Sequence, residues 1–197
     1  GNFYYGSSGY GRPENPQSHW SLPRRTLVWE PMQPVFLGDT ATCGISEAGT
    51  VLCAGLIRMG TPGEIAWQGH YNPSLVPGVS NASTMVTFGP VGYNTSCALA
   101  DQGQLFCWGV STHLFGGGSG DAAQHLEQAP RALKISPLKD GACLTTNERR
   151  AVCFGSLYHN GVAYRQDDPV NLSMRPVDGL APRVEQTSGN CARLEDG

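Results

Sequence analysis

Apolar residues along this chain come in short bursts, each cut off by glycine, proline or a polar pair, and they do not hold a helical period over several turns. The best helical candidate is the run Asp121 to Glu127. The bursts Val35-Phe36-Leu37, Val86-Thr87-Phe88 and Leu133-Lys134-Ile135, with Val184-Glu185-Gln186 in the corresponding place, alternate or cluster apolar residues as half-buried strands do. A second set of bursts flanks pairs of cysteines. The pattern predicts an all-β chain of many short strands.

The cysteine pairs expose a repeat. Cys43 and Cys53 are ten residues apart, as are Cys97 and Cys107, and Cys143 and Cys153. The stretch from Cys43 to Gly55 aligns with that from Cys97 to Gly109, including Gly49 on Gly103. The third copy, Cys143 to Gly155, keeps the cysteines, the apolar residue before the second one and the aromatic-Gly end, but has Arg149 where the others have glycine. Each copy predicts a β-hairpin whose turn is centred at Ala48, Gln102 or Glu148. In the second copy Asp101-Gln102-Gly103 forms a three-residue loop with glycine in the left-handed position. Pairing outward from Gln102 sets Cys97 opposite Cys107, where facing Cα atoms lie about 4.5 to 5.5 Å apart, within reach of a disulfide. One disulfide is therefore expected to staple each hairpin.

Successive first cysteines are 54, 46 and 48 residues apart, ending at Cys191. A fourth copy is split across the termini. Cys191 to Gly197 matches Cys97 to Gly103, and Phe3-Tyr4-Tyr5-Gly6 matches Phe106 to Gly109, with Tyr4 in place of the second cysteine. Cys191 thus has no partner in this sequence. Units of this length, built from short strands, belong to propeller blades rather than helical repeats. No charged linker separates the units, so 1–197 reads as one tandem-repeat domain or a stretch of a larger propeller. The fold expected is an all-β propeller, or an open propeller arc, of about four blades: three whole repeats plus the split one.

Composition narrows the function. The 26 glycines and 14 prolines, about a fifth of 197 residues, exceed the roughly 12% of average usage and fit a turn-rich fold. Charged residues make only 15%, and the net charge of −3 argues against a nucleic-acid surface. No apolar run approaches the roughly 20 residues of a membrane helix, and no signal-peptide pattern opens the chain, which begins in mid-repeat.

The string Cys97-Ala98-Leu99 through Cys107-Trp108-Gly109, followed by Gly116, Gly117 and Gly118, resembles a repeat of the regulator of chromosome condensation type. The resemblance runs through the chain in register, is confined to the hairpins in its detail, and is closest in the second unit. It implies a propeller, usually of seven blades. The cysteine-paired form is similar to the secreted and cell-surface branch, including bacterial extracellular repeat proteins and Crinkly-type receptor ectodomains. The nuclear branch acts as a nucleotide exchange factor on a small GTPase and binds chromatin. Three regular cystine pairs do not suit that reducing compartment, and the chain has no basic tail.

The split repeat leaves two readings open. In one, the chain is a stretch of a longer propeller and the partner of Cys191 lies beyond Gly197. In the other, Phe3 to Gly6 pairs with the strand at Cys191, either closing a four-bladed ring or joining neighbouring copies head-to-tail into a filament.

The remaining motifs assign no catalysis. Asn81-Ala82-Ser83, Asn94-Thr95-Ser96 and Asn171-Leu172-Ser173 are candidate glycosylation sites. His19, His70, His113, His125 and His159 show no metal spacing, and cysteines ten apart do not match zinc-site pairs. Gly116 to Asp121 lacks the lysine of a phosphate loop, and no serine sits in a nucleophile-elbow motif. Trp108, Phe154, Tyr5 and Ala54 share one repeat position, read as packing between blades. The aromatics Trp20, Trp29, Trp67, Tyr71, Phe115, Tyr158 and Tyr164 lie in variable stretches and are candidate interface anchors.

The sequence is thus expected to encode a secreted or cell-surface, non-catalytic module, without cofactor or metal, that binds another protein or a glycan. The alternatives are a subunit of an extracellular filament or coat, and a secreted enzyme inhibitor. Mass spectrometry of unreduced peptides is expected to link residue 43 with 53, 97 with 107 and 143 with 153. Free thiols at those positions would undo both the hairpin register and the compartment.

Overall fold

The computed structural model describes residues 32–37, 41–55, 70–88, 95–109, 120–138, 141–155, 174–177, 180, 183–188 and 191–195. Each repeat unit folds into one antiparallel sheet. The first sheet holds β1 (Met32–Leu37), β2 (Ala41–Ser46), β3 (Val51–Gly55) and β4 (His70–Leu75), side by side in that order. The second holds β5 (Thr84–Phe88), β6 (Thr95–Ala100), β7 (Gln104–Gly109) and β8 (Gly120–His125). The third repeats the order with β9 (Ala132–Leu138), β10 (Gly141–Thr146), β11 (Ala151–Gly155) and the short β12 (Arg175–Pro176). A fourth sheet, among the described residues, is the pair β13 (Val184–Ser188) and β14 (Cys191–Leu194).

The cysteine spacing sets the register of the two central strands. Cys43 faces Cys53, Cys97 faces Cys107 and Cys143 faces Cys153. Their sulfur atoms lie at bonding distance, 2.07, 2.09 and 2.02 Å. The facing Cα atoms are 4.1, 4.1 and 4.0 Å apart, closer than the sequence reading expected. The ladder gives the reason. Ser46 N–H donates to Thr50 C=O, so alternation makes 43 and 53 a non-hydrogen-bonded pair, the kind in which strands approach most closely.

Prolines obey the same order. Pro34, Pro73, Pro137 and Pro176 all lie in first or fourth strands, at sheet edges where a missing N–H breaks no central ladder. The central strands hold none. The apolar bursts seen in sequence are the first strands, β1, β5, β9 and β13. Successive sheets meet through them, β1 with β5, β5 with β9 and β9 with β13, as blades converging on a common axis do. Leu133, which the pattern counted among the buried positions, is exposed on β9, whereas Ile135 is buried. A bulge between the Lys134–Thr145 and Ala132–Thr146 pairs turns Leu133 outward.

The best helical candidate, the run Asp121 to Glu127, is not helical, because most of it is β8, the outer strand of the second sheet. Its alanine, glutamine and glutamate favour a helix locally, but pairing with β7 overrides that weak preference.

The core lies between sheets. Along β6, β10 and β11 every residue is buried, on both faces. The cystines of the first two sheets face the next sheet, and in the second and third sheets the residue after the second cysteine faces the sheet before. Trp108 packs against Cys43, Ile45, Val51 and Cys53 of the first sheet, together with Met85 and Ala98 of its own. Phe154 packs on the second sheet's Cys97, Leu99 and Cys107, its ring edge-on to Phe88 at 6.0 Å. Cys143 and Cys153 pack with Leu138 and Val177. The inter-blade role read for Trp108 and Phe154 is therefore the observed one, and Ala54 at the same position is also buried.

Trp108 is fully buried and its indole N–H has no hydrogen-bond partner among the described residues. Trp108→Ala is expected to cost about 3–5 kcal/mol, the usual loss for emptying so large a site. Trp108→Phe, matching the third blade, should cost only about 1–2 kcal/mol because it also removes an unsatisfied donor. Denaturant titration of both variants checks the difference, and equal losses would count against it.

Candidate functional site

Because the strands alternate in direction, every blade sends its connections to two opposite ends. At one end lie the tight β2–β3, β6–β7 and β10–β11 turns and the crossovers 76–83, 126–131 and 177–183 that lead to the next blade. This is the turn face. At the other end the strand termini Gly55 and His70, Gly109 and Gly120, and Gly155 and Arg175 are joined by the long connections 56–69, 110–119 and 156–174. This is the loop face.

The turn face is stitched together by a repeated set of backbone hydrogen bonds. Each crossover starts by returning to its own blade, with Val76, Leu126 and Val177 N–H donating to the carbonyls of Val51, Leu105 and Ala151. It ends against the hairpin turn of that blade. Ala82 N–H donates to Gly49 C=O at 2.9 Å, and Arg183 and Val184 N–H donate to Arg149 C=O at 3.0 and 2.9 Å. In the second blade, Gly103 lies so near Ala132 that a Cβ on it would sit 2.2 Å from the Ala132 carbonyl oxygen. Gly49 and Gly103 both have φ of 74°. Arg149 adopts φ of 61° in the same place, a conformation that glycine reaches freely and arginine does not. The second turn also differs from a simple bulged hairpin, since Gln102 is left-handed too, at φ 58°.

Among the candidate glycosylation sites, Asn81 lies on the turn face and is exposed. Its Nδ2 donates to Asp101 Oδ2 at 2.7 Å, and Ser83 Oγ donates to the Leu99 carbonyl at 3.2 Å. Asn94 and Asn171 lie outside the described residues. Of the candidate interface aromatics, Tyr71 is placed on β4. Trp20, Trp29, Trp67, Phe115, Tyr158 and Tyr164 lie outside the described residues, as do Phe3 to Gly6. Trp67, Phe115 and the two tyrosines nonetheless belong to the three connections that join strand ends at the loop face. Cys191 opens β14 as an exposed free thiol.

Sequence reasoning missed the arginines of the turn face. Arg149 was noted only as a departure from glycine, and Arg131 and Arg183 carry no repeat signal. Hydrogen bonds of the crossovers bring the three together.

Stacked four-stranded sheets meeting through their first strands define the chain as an array of β-propeller blades. The family description "Regulator of chromosome condensation (RCC1) repeat" matches residues 91–113, which enclose the second cystine hairpin. Human WBSCR16 is similar over 78% of this chain, at 18% identity and a TM-score of 0.60. The Saccharomyces cerevisiae protein Prp20p, described with its binding properties to Gsp1p and histones, is similar over 74% at 12% identity and a TM-score of 0.58. Yeast RCC1 (Prp20) bound to Kap60 is similar over 78% at 14% identity and a TM-score of 0.59. The chain spans 41%, 38% and 39% of these three structures. No curated protein sequence matches it. The repeat match and the shared fold together support an RCC1-type β-propeller. The three cystine pairs are compatible with an oxidising environment.

The turns supply a direct test of how the blades are held. Gly103→Ala is expected to cost about 1–2 kcal/mol from the left-handed conformation alone, and more from the clash with Ala132. Arg149→Gly should cost nothing or stabilise slightly, since an exposed ion pair contributes little. Thermal unfolding of both variants measures the contrast, and a Gly103→Ala protein as stable as wild type would contradict the close approach.

Proposed function

We propose that residues 1–197 form one propeller unit of a secreted or cell-surface protein, a non-catalytic module whose loop face binds another protein or a glycan. One observation carries this reading. Each of the three blades puts its long connection at the same end, while the opposite end is occupied by tight turns and by the crossovers that lead to the next blade. Long connections joined to one end of a rigid array are where recognition concentrates. Trp67, Phe115, Tyr158 and Tyr164 give those segments the aromatic anchors that dominate interfaces. The similarity to Prp20p, described with protein partners, favours a protein ligand over a glycan. Attachment of glycans at Asn81, Asn94 and Asn171 belongs to the same proposal.

The test replaces 56–69, 110–119 and 156–173, one at a time, by short Gly-Ser linkers. Each variant is screened beside the wild type against secreted proteins and a glycan array. A ligand lost on at least one replacement is the expected result. A ligand that survives all three would place binding elsewhere and sink the proposal.

A second reading rests on β14. Among the described residues no strand lies on its outer side, and Cys191 on it is exposed. Such an edge recruits strands, and head-to-tail recruitment between copies builds a filament or coat. Light scattering that finds large particles persisting on dilution would support assembly. A monomeric profile would remove it.

A further inference from the structure

We propose that the turn face at the third and fourth blades is a second interaction surface, and that it takes an acidic segment of a protein partner. The proposal concerns the face opposite the long loops and rests on separate observations.

Arg131, Arg149, Arg150 and Arg183 come from three separate stretches of chain, and backbone hydrogen bonds fasten those stretches together. Asn147 N–H donates to the Arg131 carbonyl at 3.0 Å, and Arg183 N–H donates to the Arg149 carbonyl at 3.0 Å. All four arginines are exposed. The only carboxylates among the described turn residues here are Glu148 and Glu195. Glu148 approaches Arg150 at 3.6 Å and Glu195 approaches Arg149 at 3.5 Å. These side chains are between 44% and 78% exposed, so the contacts are weak and exchangeable. Among the described residues, four guanidinium groups against two carboxylates leave a positive excess on this half of the face, Asp178 and Asp196 lying outside those residues.

The same face at the first two blades is the reverse. Its exposed charges are Glu47, Asp101 and Glu127, and no lysine or arginine occurs in 47–50, 76–83, 101–103 or 126–130. Among the described residues, charge is therefore segregated along the array. An acidic ligand is drawn to one half and repelled by the other, which fixes its position and orientation.

Backbone strain points the same way. The position of Arg149 is filled by glycine in the two preceding blades, and there arginine is held at φ 61°. Arg183, bonded to it, sits at φ 133°. Two adjacent arginines in conformations that glycine adopts without cost are a disadvantage to folding, and strained side chains of this kind cluster at functional positions. The planar fork of arginine pairs with carboxylate or phosphate oxygens side by side. Glu195 and Glu148 already sit against Arg149 and Arg150, so carboxylate is the partner these arginines are seen to take.

The whole chain, oxidised, is titrated into a fluorescent decapeptide of glutamate and glycine, read by anisotropy. A lysine-glycine decapeptide and inorganic polyphosphate serve as the other arms. The glutamate peptide is expected to bind, more weakly as salt is raised to physiological strength, where the screening length falls to about 8 Å. Reversing two unpaired charges in Arg131→Glu/Arg183→Glu should weaken it at least about tenfold. Arg149→Gly should weaken it as well without lowering the unfolding temperature, a combination that a merely structural arginine would not produce. Equal binding by wild type and the double variant would overturn the proposal. Tighter binding of polyphosphate or of the lysine peptide would do so too.

Discussion

A blade of this protein has two apolar faces and cannot cover either by itself, and everything else in the architecture follows from that constraint. The central strands β6, β10 and β11 are buried along their whole length, so each sheet has to lie between two others. Neighbouring blades are therefore part of every blade's core, as in other repeat folds where the unit is unstable alone. The division of labour across the sheet is regular. One face presents a cystine and the other presents Trp108 or Phe154, so the two interfaces among the first three blades join the sulfur face of one blade to the aromatic face of the next. The disulfide secures the register of the hairpin, and that register decides which residues reach which interface.

Much of this was legible in the sequence because it is written in spacings. A spacing of ten positions between cysteines fixes a hairpin centre, and from that centre alone the pairings of Cys43 with Cys53, Cys97 with Cys107 and Cys143 with Cys153 follow. The shared site of Trp108 and Phe154, on the opposite face from the cysteines, follows from strand alternation. The outer strands were not legible. β4 contains Pro73 and β12 ends in Pro176, and β8 contains the helix-favouring Ala122, Ala123 and Gln124. An outer strand pairs on one side only, so packing selects its composition weakly and the sequence shows no clear alternation. The turn-face arginines were hidden for a different reason. They are gathered by crossovers between units, which no pattern within a unit reveals.

The junctions between blades are not equivalent. Two are closed by glycine turns that lie against the following backbone with no room for a side chain, at Gly49 and Gly103. The third is closed by Arg149, whose carbonyl accepts from the crossover as that of Gly49 does and whose backbone is left-handed. The repeat tolerates this departure because the required contact is made by the turn's carbonyl, which any residue supplies, while glycine supplies only the conformation. The result is a junction that meets the bonding requirement of the others and also presents charge to solvent.

The separation of connections by end has a consequence for how such a chain can change. At the turn face, an insertion would pull apart hydrogen bonds that hold one blade to the next, so lengths there are nearly fixed. The long connections join the third strand of a blade to its outer fourth strand, and β12 shows that this outer strand can shrink to two residues while the blade behind it persists. Variation in length and content is thus channelled to one end of the molecule. The array behaves as a rack whose slots are keyed at one side and open at the other, and foreign sequences grafted between Gly109 and Gly120 would be displayed without disturbing the blades that carry them.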